Sequence, residues 1–162
     1  MNLLDSNVFI QAKNLYYAFD ICPGFWEWLD SVTGGPDVGT ITKVRDEISG
    51  GRDQLAVWMT ARGGRPWVLD ISDAQTQRAF IAVAAHVQAG RWKPAAKAQF
   101  LRGADPWLVA KASVSGGTVV TLEEPAPSSL KKVPLPEICD AFGVSTLRTF
   151  DFLRANGASF RL

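Results

Sequence analysis

Four acidic residues stand where chemistry could be done: Asp5, Glu47, Asp105 and Glu123. Asp5 closes the short apolar run Leu3-Leu4. Glu123 lies just beyond Thr118-Val119-Val120-Thr121. Asp105 opens, with Pro106, the segment that leads into that run. Glu47 falls five residues into the segment after Val38-Gly39-Thr40-Ile41, about 7–8 Å along a helix axis. Asn7 and Thr121 sit beside the first and last of these acids. If the apolar runs are parallel strands, four carboxylates from four separate segments gather at one sheet edge. Gathered carboxylates repel one another unless a cation lies among them. An all-oxygen donor set without His or Cys selects a hard ion, Mg²⁺ or Mn²⁺. Such an ion activates water and stabilises charge on a phosphodiester during in-line displacement. Each acid also has a plain structural reading. Asp5 and Asp105 could cap helices, Glu47 could lie on a solvated helix face, and Glu123 in a solvated turn.

Other chemistries lack their residues. The chain has 162 residues with one histidine, His86, and two cysteines, Cys22 and Cys139. There is no C-x-x-C, so zinc-ribbon and thioredoxin-like sites are out. G-x-S-x-G is missing, as are the phosphate-binding glycine loops. The cysteines read as buried small hydrophobes. Net charge is +1, but the 16 acids less the four above leave 12 against 17 Lys and Arg. Between Arg91 and Lys111 the only acid is Asp105. Arg102 and Lys111 from this stretch, and Lys131 and Lys132 in the loop after Thr118–Thr121, are candidate contacts for substrate phosphates, with ordinary solvation as the alternative. With 47% apolar and 20% charged residues, the composition is that of a globular chain with room for one domain over 1–162. No apolar run reaches the length of a membrane span and no secretory signal pattern opens the sequence, which predicts a cytoplasmic protein with reduced thiols.

The elements that must position these residues are short. Leu3-Leu4 reads as a strand, followed by a turn and a helix to about Asn14. Residues 15–37 are aromatic-rich, with a helix from Gly24 to about Ser31. Val38–Ile41 is a second strand, after which Thr42 caps a helix that stops at Gly50-Gly51. Residues 52–62 are helical, and Trp67–Leu69 form a third strand. Ser72 and Gln75 fit a capping box for a helix to about Gly90. Helices from Pro94 to Gly103 and from Asp105 to Gly116 follow. Then come a fourth strand at 118–121, a Pro- and Ser-rich loop at 124–132, and a helix at 136–142. A fifth strand at 145–148 and a helix at 149–156 end the series. Strands alternating with amphipathic helices predict an α/β fold with a mostly parallel sheet of about five strands.

Four segments together resemble the PIN-domain nucleases, the fold of VapC-type toxins, and in particular an uncharacterised PIN-like family of similar length. They are LLDSNVFI at 3–10, VRDEI at 44–48, ADPWLVA at 104–110 and GTVVTLE at 117–123. The resemblance implies a three-layer α/β/α sandwich and Mg²⁺- or Mn²⁺-dependent hydrolysis of RNA. In it, Asp5, Asp105 and Glu47 bind a first ion. Glu123 supports a second ion or orients water. Asn7 and Thr121 hold carboxylates or water by hydrogen bonds. It also implies a toxin role neutralised by an antitoxin protein, and homodimers. A catalytically weak RNA- or protein-binding module and a DNA nuclease are the alternatives. The chain departs from the pattern in three places. Glu123 replaces the usual Asp, and Glu124 beside it could compete. Residues 15–37 form an aromatic insertion that could bind a partner, gate substrate or extend the core. The tail from Lys131 to Gly143 resembles the uncharacterised family more than the toxins.

Overall fold

Three apolar runs make the centre of a sheet because both of their faces are covered. The computed structural model describes residues 1–160. In it, β1 (Asn2–Leu4), β2 (Val38–Ile41) and β4 (Thr118–Thr121) are almost wholly buried, whereas β3 (Val68–Leu69) and β5 (Thr146–Arg148) are short, more exposed edges. The order is β3-β2-β1-β4-β5 and every pairing is parallel. Helices flank this sheet as the outer layers of a three-layer α/β/α sandwich.

From β1 the chain adds strands outward in one direction (β2, β3) and then, through β4 and β5, in the other. The reversal lies between β1 and β4, which pair along Asn2–Thr118, Leu3–Val119 and Leu4–Val120. In such sheets the crevice beyond the carboxyl ends of the strands at the reversal is where ligands bind. Asp5 and Thr121 stand at that point.

The helices are α1 (Ser6–Gln11), α2 (Pro23–Val32), α3 (Thr42–Ser49), α4 (Gln54–Arg62), α5 (Ala74–Ala89), α6 (Pro94–Arg102), α7 (Asp105–Ser115), α8 (Leu135–Ala141) and α9 (Thr149–Ala155). Most boundaries follow the sequence signals. Pro94 starts α6 and Gly103 follows its end. Gly116 closes α7 in the left-handed region at φ 66°. Four details differ. No turn separates β1 from α1, because Asp5 is itself the residue that precedes the helix. Thr42 is the first residue of α3 rather than its cap. Asp73, not Ser72, caps α5: its carboxylate accepts from Thr76 N at 2.9 Å and Thr76 Oγ1 at 2.8 Å, while Ser72 turns to Asp70. After α1 the chain widens into a π turn over Ala12–Tyr16 instead of ending near Asn14.

One apolar cluster runs through the molecule. Much of it is supplied by the aromatic insertion. Tyr17 stacks on Phe25 at 4.5 Å and Phe19 on Trp26 at 3.9 Å, and Trp26 meets Trp58 edge-on at 5.2 Å. Within residues 15–37, Phe25, Trp26 and Leu29 are buried in the core and Tyr17, Phe19 and Trp28 pack against it half-buried, while Leu15, Tyr16 and Ile21 are exposed. Among the described residues no helix is long and apolar enough to cross a membrane.

Candidate functional site

The site is built on the ends of β1 and β4. Asp5 continues β1 far enough for its N–H to bond Val120 O at 3.0 Å, then hands the chain to α1. Its backbone is extended, as a helix cap requires, yet its carboxylate caps nothing. The side chain is 2% exposed. Its Oδ2 accepts from Thr121 Oγ1 at 2.8 Å and its Oδ1 from Ser6 Oγ at 3.3 Å. Next door, Thr40 Oγ1 of β2 donates to Leu4 O at 2.7 Å and satisfies the strand end.

The Thr121 hydroxyl uses its whole hydrogen-bonding capacity. It donates to Asp5 and accepts from Asn7 Nδ2 at 3.2 Å and Glu123 N at 3.1 Å. Asn7 Oδ1 accepts from Leu122 N at 3.2 Å. Asn7 and Thr121 therefore clip the start of α1 to the end of β4, and the Thr121 hydroxyl fixes the Asp5 carboxylate.

The other acids come from helices and a loop. Glu47, on α3, accepts from Ala104 N at 2.8 Å, just ahead of α7. Asp105 is the first residue of α7, not its cap. Its carboxylate accepts no hydrogen bond among the described residues. Glu123 accepts from Lys132 Nζ at 2.6 Å and from Leu135 N at 3.1 Å. Glu124 turns away to Arg148 at 2.5 Å, which leaves Glu123 as the acid that faces the cleft.

Burial raises the carboxyls of Asp5, Glu47 and Asp105, and repulsion from neighbouring carboxylates adds to it at Asp5 and Asp105. Asp105 is pushed up to about 8, first by desolvation and then by Asp5, Glu123 and Glu47, with Lys132 opposing. Asp5 rises to about 6, mainly by desolvation, against the pull of the Thr121 hydrogen bond. Glu47 is also raised by desolvation, against the Ala104 N–H and Lys43. The buried Cys139 thiol is lifted to about 12 by desolvation and by the same carboxylates. A thiol so raised and buried stays neutral and unreactive near pH 7.

Two cavities open on either side of Lys132. One, of about 270 Å³, is lined by Glu47, Asp105, Phe100, Val133 and the backbone at Gly103–Ala104. The other, of about 480 Å³, is lined by Asn7, Gln11, Leu15, Tyr16, Leu122 and Glu123. Lys132 borders both.

The four acids thus share one electrostatic neighbourhood. As placed, no three His, Cys, Asp or Glu among the described residues stand close enough together to enclose an ion. Glu47 is held by Ala104 N and Glu123 by Lys132, so both side chains would have to leave these partners to become ligands. The donor chemistry fits a hard divalent cation: oxygen ligands only, one carboxylate without a partner, and strongly raised carboxyls that positive charge would relieve.

The basic candidates separate. Lys132 is at the site. Lys131 and Arg102 are exposed. Lys111 pairs with Asp73 at 2.8 Å, six residues and about 9 Å along α7 from Asp105, so it braces α5 on α7 instead of facing the cleft. Sequence reasoning missed Ser6, Thr40 and the N–H groups of Ala104 and Leu135, while Cys139 is buried as its reading as a small hydrophobe expected. Ser6 could have been suspected from its place between two named residues. Backbone donors leave no trace in residue type.

The chain belongs to the family described as a domain of unknown function, DUF4411, whose model matches residues 2–160. No curated protein and no solved structure matches it.

Proposed function

We propose that this chain is a Mg²⁺- or Mn²⁺-dependent ribonuclease, the toxin of a cytoplasmic toxin–antitoxin pair. The observation that carries the reading is the unpartnered Asp105 carboxylate in the crevice beyond β1 and β4, with Asp5, Glu47 and Glu123 around it. The likeness of its four motifs to those of PIN-domain nucleases supplies the substrate class, the antitoxin and the homodimer. Asp5, Asp105 and Glu47 would hold the ion, and Glu123 would support them. When bound, the ion supplies positive charge for the phosphodiester and a lowered pKa for water.

The chain's own residues do the rest. Thr121 and Asn7 keep the Asp5 carboxylate in one orientation. Lys132 offers a charge to a substrate phosphate from its place between the two cavities. Phe100 and Val133 border the cleft with apolar surface, which strengthens electrostatic interactions inside it. Hydrolysis is expected to leave 5′-phosphate and 3′-hydroxyl ends.

A binding module without cleavage is the second reading. It is favoured by the engagement of Glu47 and Glu123 with protein donors rather than with each other. One experiment separates the two. Labelled single-stranded RNA is incubated with the protein in Mn²⁺, in Mg²⁺ and in EDTA, beside Asp105→Asn. The nuclease reading expects metal-dependent cleavage that the variant loses by about 10²–10³-fold, the scale seen for removal of one transition-state electrostatic group. Cleavage that persists in EDTA or in the variant overturns it. RNA retention without cleavage in either metal selects the binding module.

A further inference from the structure

The larger cavity shares Glu123 and its ion-pair partner Lys132 with the carboxylate site, but its remaining walls, Gln11, Leu15 and Tyr16, are unlike those of the smaller one. We infer that it is a nucleobase subsite, with Tyr16 as its stacking face and Lys132 as the contact for the attached phosphate. The inference rests on the phosphodiester reading of the adjoining acids and names the part of the substrate that this pocket takes.

Position comes first. Glu123 and Lys132 line the same cavity as Leu15 and Tyr16. A phosphate at Lys132 would have one lobe on each side of it. The lobe of about 480 Å³ is the size of a small-molecule site and can hold one nucleotide.

The walls then fit a base. Tyr16 is 56% exposed and Leu15 65%, and both line this cavity. Tyr16 is not loose: Phe150 supports it edge-on at 5.6 Å and 74°. Its neighbour Tyr17 turns inward onto Phe25, so the pair splits between core and cleft. The π turn over Ala12–Tyr16 produces this split, and such turns recur at functional sites. Asn7 is committed to Thr121 and Leu122, whereas Gln11 brings to the same wall an amide that both donates and accepts. An aromatic face, an amide and a lysine in one lobe match the base, base edge and phosphate of a nucleotide. Aromatic stacking tolerates any base, so the subsite should favour the presence of a base over its identity.

The test uses the whole chain in EDTA, so that binding is read without cleavage. Adenosine 5′-monophosphate, uridine 5′-monophosphate and ribose 5-phosphate are titrated by NMR against the wild type, Tyr16→Ala, Tyr16→Phe and Lys132→Met. Both nucleotides should bind about tenfold or more tightly than ribose 5-phosphate, the scale of one stacked base. Tyr16→Ala should erase that preference, Tyr16→Phe should keep it, and Lys132→Met should weaken all three ligands. Because Tyr16 is exposed, an unchanged melting temperature confirms that the variant is folded. Equal binding of nucleotides and ribose 5-phosphate by the wild type overturns the inference, as does a Tyr16→Ala variant that keeps the preference. Loss of self-association in Tyr16→Ala with nucleotide binding intact would assign the ledge to a protein partner and overturn it too. Nucleotide binding in a protein that cleaves no RNA would leave the subsite standing while the nuclease reading falls.

Discussion

The aromatic cluster and the acidic cleft lie in the same small molecule and solve opposite problems. In the cluster the large groups are packed against one another, and three indoles find hydrogen-bond acceptors. Trp26 is 4% exposed, stacks on Phe19 and donates its indole N–H to Tyr17 O at 2.7 Å. Trp28 and Trp67 likewise donate to Asn156 O and Arg62 O. In the cleft, Asp105 accepts no hydrogen bond among the described residues and faces three like charges. The difference teaches where stability comes from and where it is given up. Buried carboxylates that repel one another are unfavourable, and a well-packed region must carry them.

The largest effect should therefore come from the cluster. Trp26→Ala removes the ring that joins Phe19, Phe25 and Trp58. A loss of about 3–5 kcal/mol in unfolding free energy is expected. Denaturant titration checks it. A loss under about 1 kcal/mol would show that the cluster is looser than its geometry and would break the contrast.

The cleft should respond in the opposite direction. A carboxyl whose folded pKa lies above its unfolded value binds protons more tightly in the folded state. Its contribution is fully present at low pH and is lost as pH rises from the unfolded value near 3.8, through about 6 for Asp5 and about 8 for Asp105. In EDTA the melting temperature should fall between pH 5 and 9. Asp105→Asn should melt a few degrees higher than the wild type at pH 8, with the gap closing toward acid pH. Mn²⁺ should then raise the wild type by about 2.7 kcal/mol at a hundred times its dissociation constant, and the variant by much less. Calorimetry over pH, with and without Mn²⁺, reads both. A variant less stable than the wild type at pH 8 would show that Asp105 is structurally paired and place the cleft with the cluster.

Much of this contrast was legible in the sequence, and the physical reason is the same at each readable residue. Asp5 and Thr121 end apolar runs, and a run buried on both faces gives its ends away. The five strands and their parallel arrangement follow from those runs and the helices between them. Glu47 and Asp105 could be placed at the edge because helix rise and strand direction are regular. What could not be read depends on side-chain direction. Lys111 looked like a phosphate contact, but its ammonium reaches Asp73 on the next helix. Ser72 and Gln75 had the spacing of a capping box, yet Asp73, one residue nearer the helix, has its carboxylate at the free N–H of Thr76. The aromatic insertion could not be divided into core and surface, because Tyr16 and Tyr17 are adjacent and alike, and a π turn separates them. The hold of Lys132 on Glu123 depends on a loop path that no periodicity encodes.

The smallest effect sharpens the comparison most, because it lies where the two regimes meet. Thr121 is buried and fully hydrogen-bonded like a core residue, yet its hydroxyl serves the Asp5 carboxylate. Thr121→Val keeps the shape and deletes the hydroxyl, so Asp5 loses its shorter hydrogen bond and Asn7 and the Glu123 N–H lose an acceptor. That should cost about 1–3 kcal/mol at neutral pH. Because the Thr121 hydrogen bond lowers the Asp5 pKa, its removal should raise that pKa further, so the penalty should shrink as pH falls and Asp5 becomes protonated. Thr121→Ser, which keeps the hydroxyl, should lose less, and its loss should be nearly independent of pH. If valine and serine behave alike at every pH, the residue is packing only. If the penalty for valine grows toward neutral pH, the hydroxyl is tuning a charge, and the boundary between packed core and acidic cleft passes through this one oxygen.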